Sequence, residues 1–339
     1  MSDVLSTPAG LDAAARPSDL AYERVRHLVP EVEWAAFADD IDAIARLKAE
    51  KNAVVLAHNY QTPEIFHGVA DIVGDSLALA RHAQDVEADV LVLAGVHFMA
   101  ETAKLLNPGL TVLVPDLLAG CSLAESVTPK DVRALRAAHP GLPVVTYVNT
   151  SAAVKAESDI CCTSGNAVRI LQHVTREWGV DKAIMIPDEH LARNISAESG
   201  IEVVTHPGRC EVHDRFTPRD ITQIRDGHPG VVVVAHPECP PEVVAAADFA
   251  GSTAQMQAYV KNKAPRRLAL ITECSMSDNI AADNPGVEMI RPCNLCPHMK
   301  RNSLAKIRRS LETMTFEITL DEAVADRARL AVDRMLAIG

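Results

Sequence analysis

Three stretches, VVLAHNY (54–60), VVTYVNT (144–150) and VVVAHPE (232–238), each run a short apolar segment into polar residues. Aligned on one another, they place His58, Tyr147 and His236 in register at intervals of 89 residues. Tyr60, Asn149 and Glu238 follow two positions later at the same interval. A second block comes behind each: DIVGDSLALA from Asp71, DICCTSGNAV from Asp159 and DFAGSTAQM from Asp248, with Ser76, Ser164 and Ser252 at intervals of 88. A third block ends in a cysteine: TVLVPDLLAGC at Cys121, IEVVTHPGRC at Cys210 and VEMIRPCNLC at Cys296, spaced by 89 and 86. Three blocks in one order at one period mark a repeated structural unit.

Within each unit short apolar runs alternate with longer amphipathic ones, the pattern of a parallel sheet covered by helices. The first unit predicts strands at 53–57, 70–73, 90–94 and 111–114, with helices near 76–87 and 97–106. The second predicts strands near 143–148, 182–186 and 201–204, and the third near 231–235, 267–271 and 287–290. The expected fold is α/β: three homologous three-layer α/β/α domains with parallel sheets, in a pseudo-threefold arrangement around a central active site. The expected division is an N-terminal helical segment at 1–49, repeats at 50–128, 129–215 and 216–300, and C-terminal helices at 301–339 packing on the repeats. Ligands of open parallel sheets sit beyond the carboxyl ends of the strands, where all three blocks fall. Three domains in a row with separate pockets is the plain alternative. The tips differ in chemistry (His/Tyr, Tyr/Asn, His/Glu), as parts of one shared site would.

The chain has 339 residues, 48% of them apolar and 23% charged, and its mean hydropathy is +0.04, as suits a globular protein of two or three units. A net charge of −12 and 4% aromatic content argue against nucleic-acid or anionic-membrane surfaces. No membrane span is expected. The N-terminus carries no basic segment leading into an apolar run, so the chain is expected in the cytoplasm with its eight cysteines reduced.

Cys121, Cys210 and Cys296, one per repeat, would bring three thiolates to one place. A structural zinc wants a fourth protein ligand, and electron-transfer clusters usually take four cysteines. A [4Fe–4S] cluster on three cysteines keeps one iron open as a Lewis acid. The C-x-x-C at Cys293 and Cys296 could equally be a redox dithiol or a zinc half-site, although it has no second C-x-x-C and lacks thioredoxin-like flanks. Register favours Cys296 over Cys293, which is then a spare thiol or a partner for Cys296 on oxidation. Cys161, Cys162, Cys239 and Cys274 read as small buried hydrophobes.

GDS, TSGN and GST each stand between a short buried strand and an amphipathic run, where a hydroxyl caps a helix. Three such N-termini aimed at one cavity would hold an anion without Arg or Lys. His58, Tyr60, Tyr147, Asn149, His236 and Glu238 would line that cavity. Glu238, between Pro237 and Cys239, is the general-base candidate. His213 would donate to a substrate or orient the cysteine loop. The run KRNSLAKIRR from Lys300 reads as a solvated helix face.

AHNYQ (57–61), GDSL (74–77), YVNT (147–150), CTSGNAV (162–168), GRCEVH (208–213), HPEC (236–239), GSTAQM (251–256) and CPHMKRNSL (296–304) together resemble the quinolinate synthase family, over about residues 50–305. The resemblance implies an enzyme of NAD biosynthesis that condenses iminosuccinate with dihydroxyacetone phosphate, releasing phosphate and water. It implies a [4Fe–4S] cluster on Cys121, Cys210 and Cys296 with one open iron. It also implies substrate-binding roles for His58, Ser76, Tyr147, Asn149, Ser164, His236, Glu238 and Thr253, to which neighbouring Ser252 is added. Glu238 and Tyr60 are the expected base and acid. An aspartate-oxidising enzyme supplying iminosuccinate is the expected functional partner. The remaining alternatives are a [4Fe–4S] hydro-lyase on another small polyacid and a non-catalytic iron–sulfur sensor.

Overall fold

The computed structural model describes residues 15–339, so the first 14 residues of the expected N-terminal segment lie outside the described residues. Three four-stranded parallel sheets share one topology. In the first, β1 (Ala53–His58), β2 (Ile72–Gly74), β3 (Val90–Ala94) and β4 (Thr111–Leu113) lie in the order β2-β1-β3-β4. In the second, β5 (Val144–Tyr147), β6 (Ile160–Cys162), β7 (Lys182–Ile186) and β8 (Glu202–Thr205) lie in the order β6-β5-β7-β8. In the third, β9 (Val232–Ala235), β10 (Phe249–Ala250), β11 (Arg267–Ile271) and β12 (Glu288–Ile290) lie in the order β10-β9-β11-β12. The repeated blocks therefore fold as three copies of one α/β/α unit. β6 and β10 are the short strands ahead of TSGN and GST; at three and two residues they are too brief to show a period of their own.

One device recurs in every sheet. Asp71, Asp159 and Asp248, each just ahead of its unit's second strand, accept from the backbone N–H of Val55, Val144 and Val233 at 2.8, 2.7 and 2.8 Å. Their own N–H groups donate back to the carbonyls of the same three valines. The paired contacts fix where the second strand starts, and hence where the following serine block lies. Central strands are buried on both faces, as covered parallel sheets require. In β3, Leu91 and Leu93 face the core shared with the second repeat, while Val90, Val92 and Ala94 face the N-terminal helices.

The flanking segments add to these cores. Ile41, Ile44 and Leu47 of the helix Ala38–Glu50 pack with Leu304, Ile307 and Leu311 of the helix Leu304–Thr313 against the first sheet. Ala328, Ala331, Val332 and Met335 of Glu322–Ile338 enter the core that joins repeats one and two. Among the described residues no helix is long and apolar enough to cross a membrane.

Repetition extends to helix starts. TPKD (128–131) and TPRD (217–220) both form capping boxes, in which the threonine hydroxyl accepts from the aspartate N–H and the aspartate carboxylate takes up the threonine N–H. Thr217→Ala is expected to lower unfolding free energy by about 1 kcal/mol in denaturant titration, without effect on the distant site. No measurable loss would show that the box adds nothing in this context.

Three expectations about the thiols are corrected. Cys274 and Cys293 form a disulfide. Cys274 is thus no bystander, Cys293 pairs with Cys274 rather than Cys296, and the thiols are not all reduced. The physical reason lies in the fold: β11 delivers Cys274 to the first turn of the helix Cys274–Asp283, beside which the loop after β12 returns with Cys293. Cys161, Cys162 and Cys239 are fully buried free thiols, as expected of small hydrophobes. The disulfide closes a segment with a sequence separation of 19, and Cys293→Ala is expected to cost roughly 2–4 kcal/mol of stability. If Cys293 is no cluster ligand, the same variant should keep its full iron and sulfide content after anaerobic reconstitution.

Candidate active site

The carboxyl ends of the three sheets meet at one cavity of about 730 Å3, counting its open mouth. His58, Tyr60 and Ser76 reach it from the first repeat, Tyr147, Asn149 and Ser164 from the second, and His236, Glu238 and Thr253 from the third. Cys121, Cys210, Cys296 and His213 complete the wall. Every expected catalytic, substrate-binding and cluster residue lies there except Ser252. That serine is spent on its helix, Thr253–Lys263, where its hydroxyl accepts from the Gln255 N–H at 3.3 Å.

The hydroxyl blocks differ from simple capping. Asp75, not Ser76, caps the helix Ser76–Gln84, accepting from the Ala78 N–H, so the Ser76 hydroxyl faces the cavity. Ser164 stands two residues ahead of the cap position of Ala167–Trp178, its hydroxyl 3.4 Å from His236 Nε2. Of the three serines, only Ser252 is a cap. A carboxylate beside Ser76 and a loop after Ser164 displaced the simpler arrangement.

Glu238 is the hub of the buried polar network. Tyr147 Oη donates to its Oε1 at 2.5 Å and His213 Nδ1 approaches Oε2 at 2.7 Å. With Nδ1 donating to the carboxylate, His213 Nε2 accepts from Thr272 Oγ1 at 2.9 Å, and Tyr60 Oη donates to Thr272 at 2.6 Å. A continuous path therefore joins Tyr60, Thr272, His213 and Glu238. Burial works to raise the Glu238 pKa, but the neighbouring imidazoles and the two hydrogen bonds hold the carboxyl below its usual range. Burial, and then the Glu238 charge, drives the Tyr60 and Tyr147 phenols well above theirs. The site thus holds an ionised acceptor among protonated donors.

His58 and His236 are matched by the repeat. Each accepts at Nδ1 from the N–H two residues on, of Tyr60 at 3.2 Å and of Glu238 at 3.3 Å, which leaves the proton on Nε2. Burial lowers their pKa values to about 4 and about 3, so both are neutral donors at physiological pH. Asn149 Oδ1 is buried with no hydrogen-bond partner among the described residues, an acceptor available on the cavity wall.

The sequence carries no signal for Thr272, which belongs to none of the three aligned blocks. Lys300 was misread. It is half-buried, not a solvated face: its Nζ lies 3.0 Å from the fully buried Glu273 and donates to the Tyr60 carbonyl at 2.8 Å. Asn302 is also buried, donating to the Gly95 carbonyl at 2.8 Å.

The cysteine loops are hung in one way from the helix that follows each unit's third strand. The N–H of His97 donates to Ala119, and that of Glu189 donates to Gly208, at 2.7 and 2.8 Å; Glu273 bridges to Asn294. Each anchor lies two residues ahead of its cysteine. Each sulfur is then met by N–H groups of the following turn: from Leu123 and Ala124 at Cys121, from His213 at Cys210, and from His298 and Met299 at Cys296. Burial pushes Cys121 up to about 12 and raises the other two, so these thiols need a cation to ionise. Three unpaired thiols with inward N–H donors on one wall are a donor set suited to iron and sulfide. Cys210, His213 and Glu238 also offer ligand atoms within 4.8 Å of one another.

Fold and site together define a pseudo-threefold α/β enzyme with a thiol-lined central cavity. The family model of the quinolinate synthetase A protein matches residues 42–337. The chain is 65% identical over 317 residues to quinolinate synthase 2 of Mesorhizobium japonicum, covering 94% of this chain and 97% of that protein. It is 67% identical over 302 residues to the quinolinate synthase of Xylella fastidiosa, covering 89% and 88%. To the quinolinate synthase of Agrobacterium fabrum it is 63% identical over 317 residues, covering 94% and 91%. The chain belongs to the quinolinate synthetase A family, a family of NAD-biosynthesis enzymes, which implies an iron–sulfur cofactor. A non-catalytic sensor is thereby set aside.

Proposed function

We propose that the chain condenses iminosuccinate with dihydroxyacetone phosphate to quinolinate, releasing one phosphate and two waters. The observation that supports this best is the meeting, in one cavity, of three free thiols with a carboxylate linked to a phenol through His213 and Thr272. Cys121, Cys210 and Cys296 would hold a [4Fe–4S] cluster with one iron lacking a protein ligand, which supplies Lewis acidity toward a carboxylate or departing hydroxyl.

The remaining work falls to this chain's own groups. His58 and His236, neutral and protonated on Nε2, with the hydroxyls of Ser76, Ser164 and Thr253, donate to substrate carboxylate, carbonyl and phosphate oxygens. Among the described residues no Lys or Arg lines the cavity, so anions are held by neutral donors. Asn149 Oδ1 accepts from the substrate nitrogen. Glu238 takes the proton released as the enamine carbon forms its new bond, and Tyr60 returns one to a leaving hydroxyl. The Thr272–His213 path re-equilibrates the two. Substrates and products balance without an oxidant or reductant, so the cluster is not expected to cycle. Supply of so hydrolysable an imine suits a nearby aspartate-oxidising enzyme, and the reaction suits the cytoplasm.

Anaerobic protein reconstituted with iron and sulfide, given both substrates, should form quinolinate identified by mass. Cluster-replete protein that forms none would sink the proposal, and dehydration of another polyacid would favour the hydro-lyase.

A further inference from the structure

The strand-end turns that carry Tyr60, Asn149 and Glu238 are each gripped from behind at equivalent atoms. Asn279 Nδ2 donates to the carbonyls of Asn59 and Gln61, at 3.0 and 2.8 Å. Asn194 Nδ2 donates to the carbonyls of Pro237 and Cys239, at 2.8 and 2.9 Å. Lys155 Nζ donates to the carbonyls of Val148, at 2.8 Å, and Thr150. In repeat register these are the same two carbonyls, one on either side of the residue that faces the cavity.

The donors are also related. Asn194 and Asn279 are each the sixth residue of the helix after their unit's third strand, Glu189–Ser199 and Cys274–Asp283. Each grips the turn of a neighbouring repeat: the second repeat's helix holds the third repeat's turn, and the third repeat's helix holds the first's. The sixth residue of the corresponding first-repeat helix, His97–Leu106, is Thr102, whose hydroxyl is used on the Phe98 carbonyl. Lys155 takes over from within the second repeat, its ammonium 5.4 Å from the Phe98 ring centroid. In the same place Glu101 accepts from the Ala152 N–H at 2.9 Å, so the first-repeat helix still touches the second repeat's turn.

We propose that Asn194, Asn279 and Lys155 are positioning residues of the site, each aiming one cavity-facing side chain by clamping the two carbonyls that flank it. An amide nitrogen has two protons for two acceptors, so one side chain satisfies both buried carbonyls and fixes their separation. Each clamp helix also anchors a cysteine loop at its first turn, Cys210 for Asn194 and Cys296 for Asn279. One rigid helix therefore sets a thiol and a proton-transfer group at a fixed relation. The role rests on the proposed function, since it assigns work to Glu238 and Tyr60.

Asn194 is the residue to test, being only half-buried and so replaceable without loss of the fold. In reconstituted holoenzyme, Asn194→Ala is expected to lower kcat by about 10-fold or more at unchanged iron and sulfide content, since sub-ångström misplacement of a reacting group is enough for that. In a Glu238→Gln background the same change should alter kcat by less than about 2-fold, because the group it aims is already disabled. Glu198→Ala, on the exposed face of the same helix, serves as the control. An unchanged kcat for Asn194→Ala, or an equal fold-loss in both backgrounds, overturns the proposal. If wild-type holoenzyme makes no quinolinate, the proposed function fails, and the clamp is then judged by amide hydrogen exchange at Glu238 and Cys239. These amides should exchange about 10-fold faster in Asn194→Ala than in Glu198→Ala, and equal rates overturn the clamp.

Discussion

Glu238→Gln should lower quinolinate turnover by about 10²–10³-fold while leaving iron and sulfide content unchanged, the range expected when a general base is lost. The substitution keeps shape and removes charge. Two buried donors, Tyr147 Oη and His213 Nδ1, converge on the carboxylate at 2.5 and 2.7 Å. A neutral amide cannot accept both equally well, and one of its own N–H groups must turn toward a donor, leaving buried polar atoms unpaired. The path from Tyr60 through Thr272 and His213 then ends on a group that takes no proton at neutral pH. Steady-state turnover under anaerobic conditions checks this. Turnover within a few-fold of wild type would remove Glu238 from the chemistry and make its network structural.

Changing Cys121, Cys210 or Cys296 singly to alanine should abolish the bound iron–sulfur group and turnover with it, whereas Cys293→Ala retains both. The three loops are equivalent in the fold, each anchored two residues ahead of its cysteine and each placing N–H donors at the sulfur. Removing one of three thiolates leaves too few ligands to hold a cluster against solvent. Iron and sulfide analysis of reconstituted variants decides it. Full retention in Cys296→Ala together with loss in Cys293→Ala would reverse the assignment within the C-x-x-C.

Much of this architecture could be read from the chain. The strands β1, β5 and β9 announce themselves as apolar runs ending in His58, Tyr147 and His236, and a parallel sheet brings such ends to its ligand-binding edge. The cavity residues follow from the same alignment, because side chains at equivalent positions of homologous units must occupy equivalent places. Hydroxyl placement was less legible. Asp75 and Ser76 are adjacent and either can cap, and only the backbone decides which carboxylate or hydroxyl meets the Ala78 N–H.

Periodicity and spacing on their own determined the three α/β units, their order and the set of groups that converge, since local apolar patterning dictates strands and helices and repetition dictates symmetry. What crosses between units was decided only by tertiary structure. The Thr272 link to Tyr60 and His213 and the grip of Asn194 and Asn279 on their neighbours' turns join different units, while the Cys274–Cys293 bond and the burial of Glu273 against Lys300 close the third unit on itself. Sequence repetition encodes what each unit shares with its copies, whereas these contacts depend on how three nearly equal units pack and on where one departs from the others.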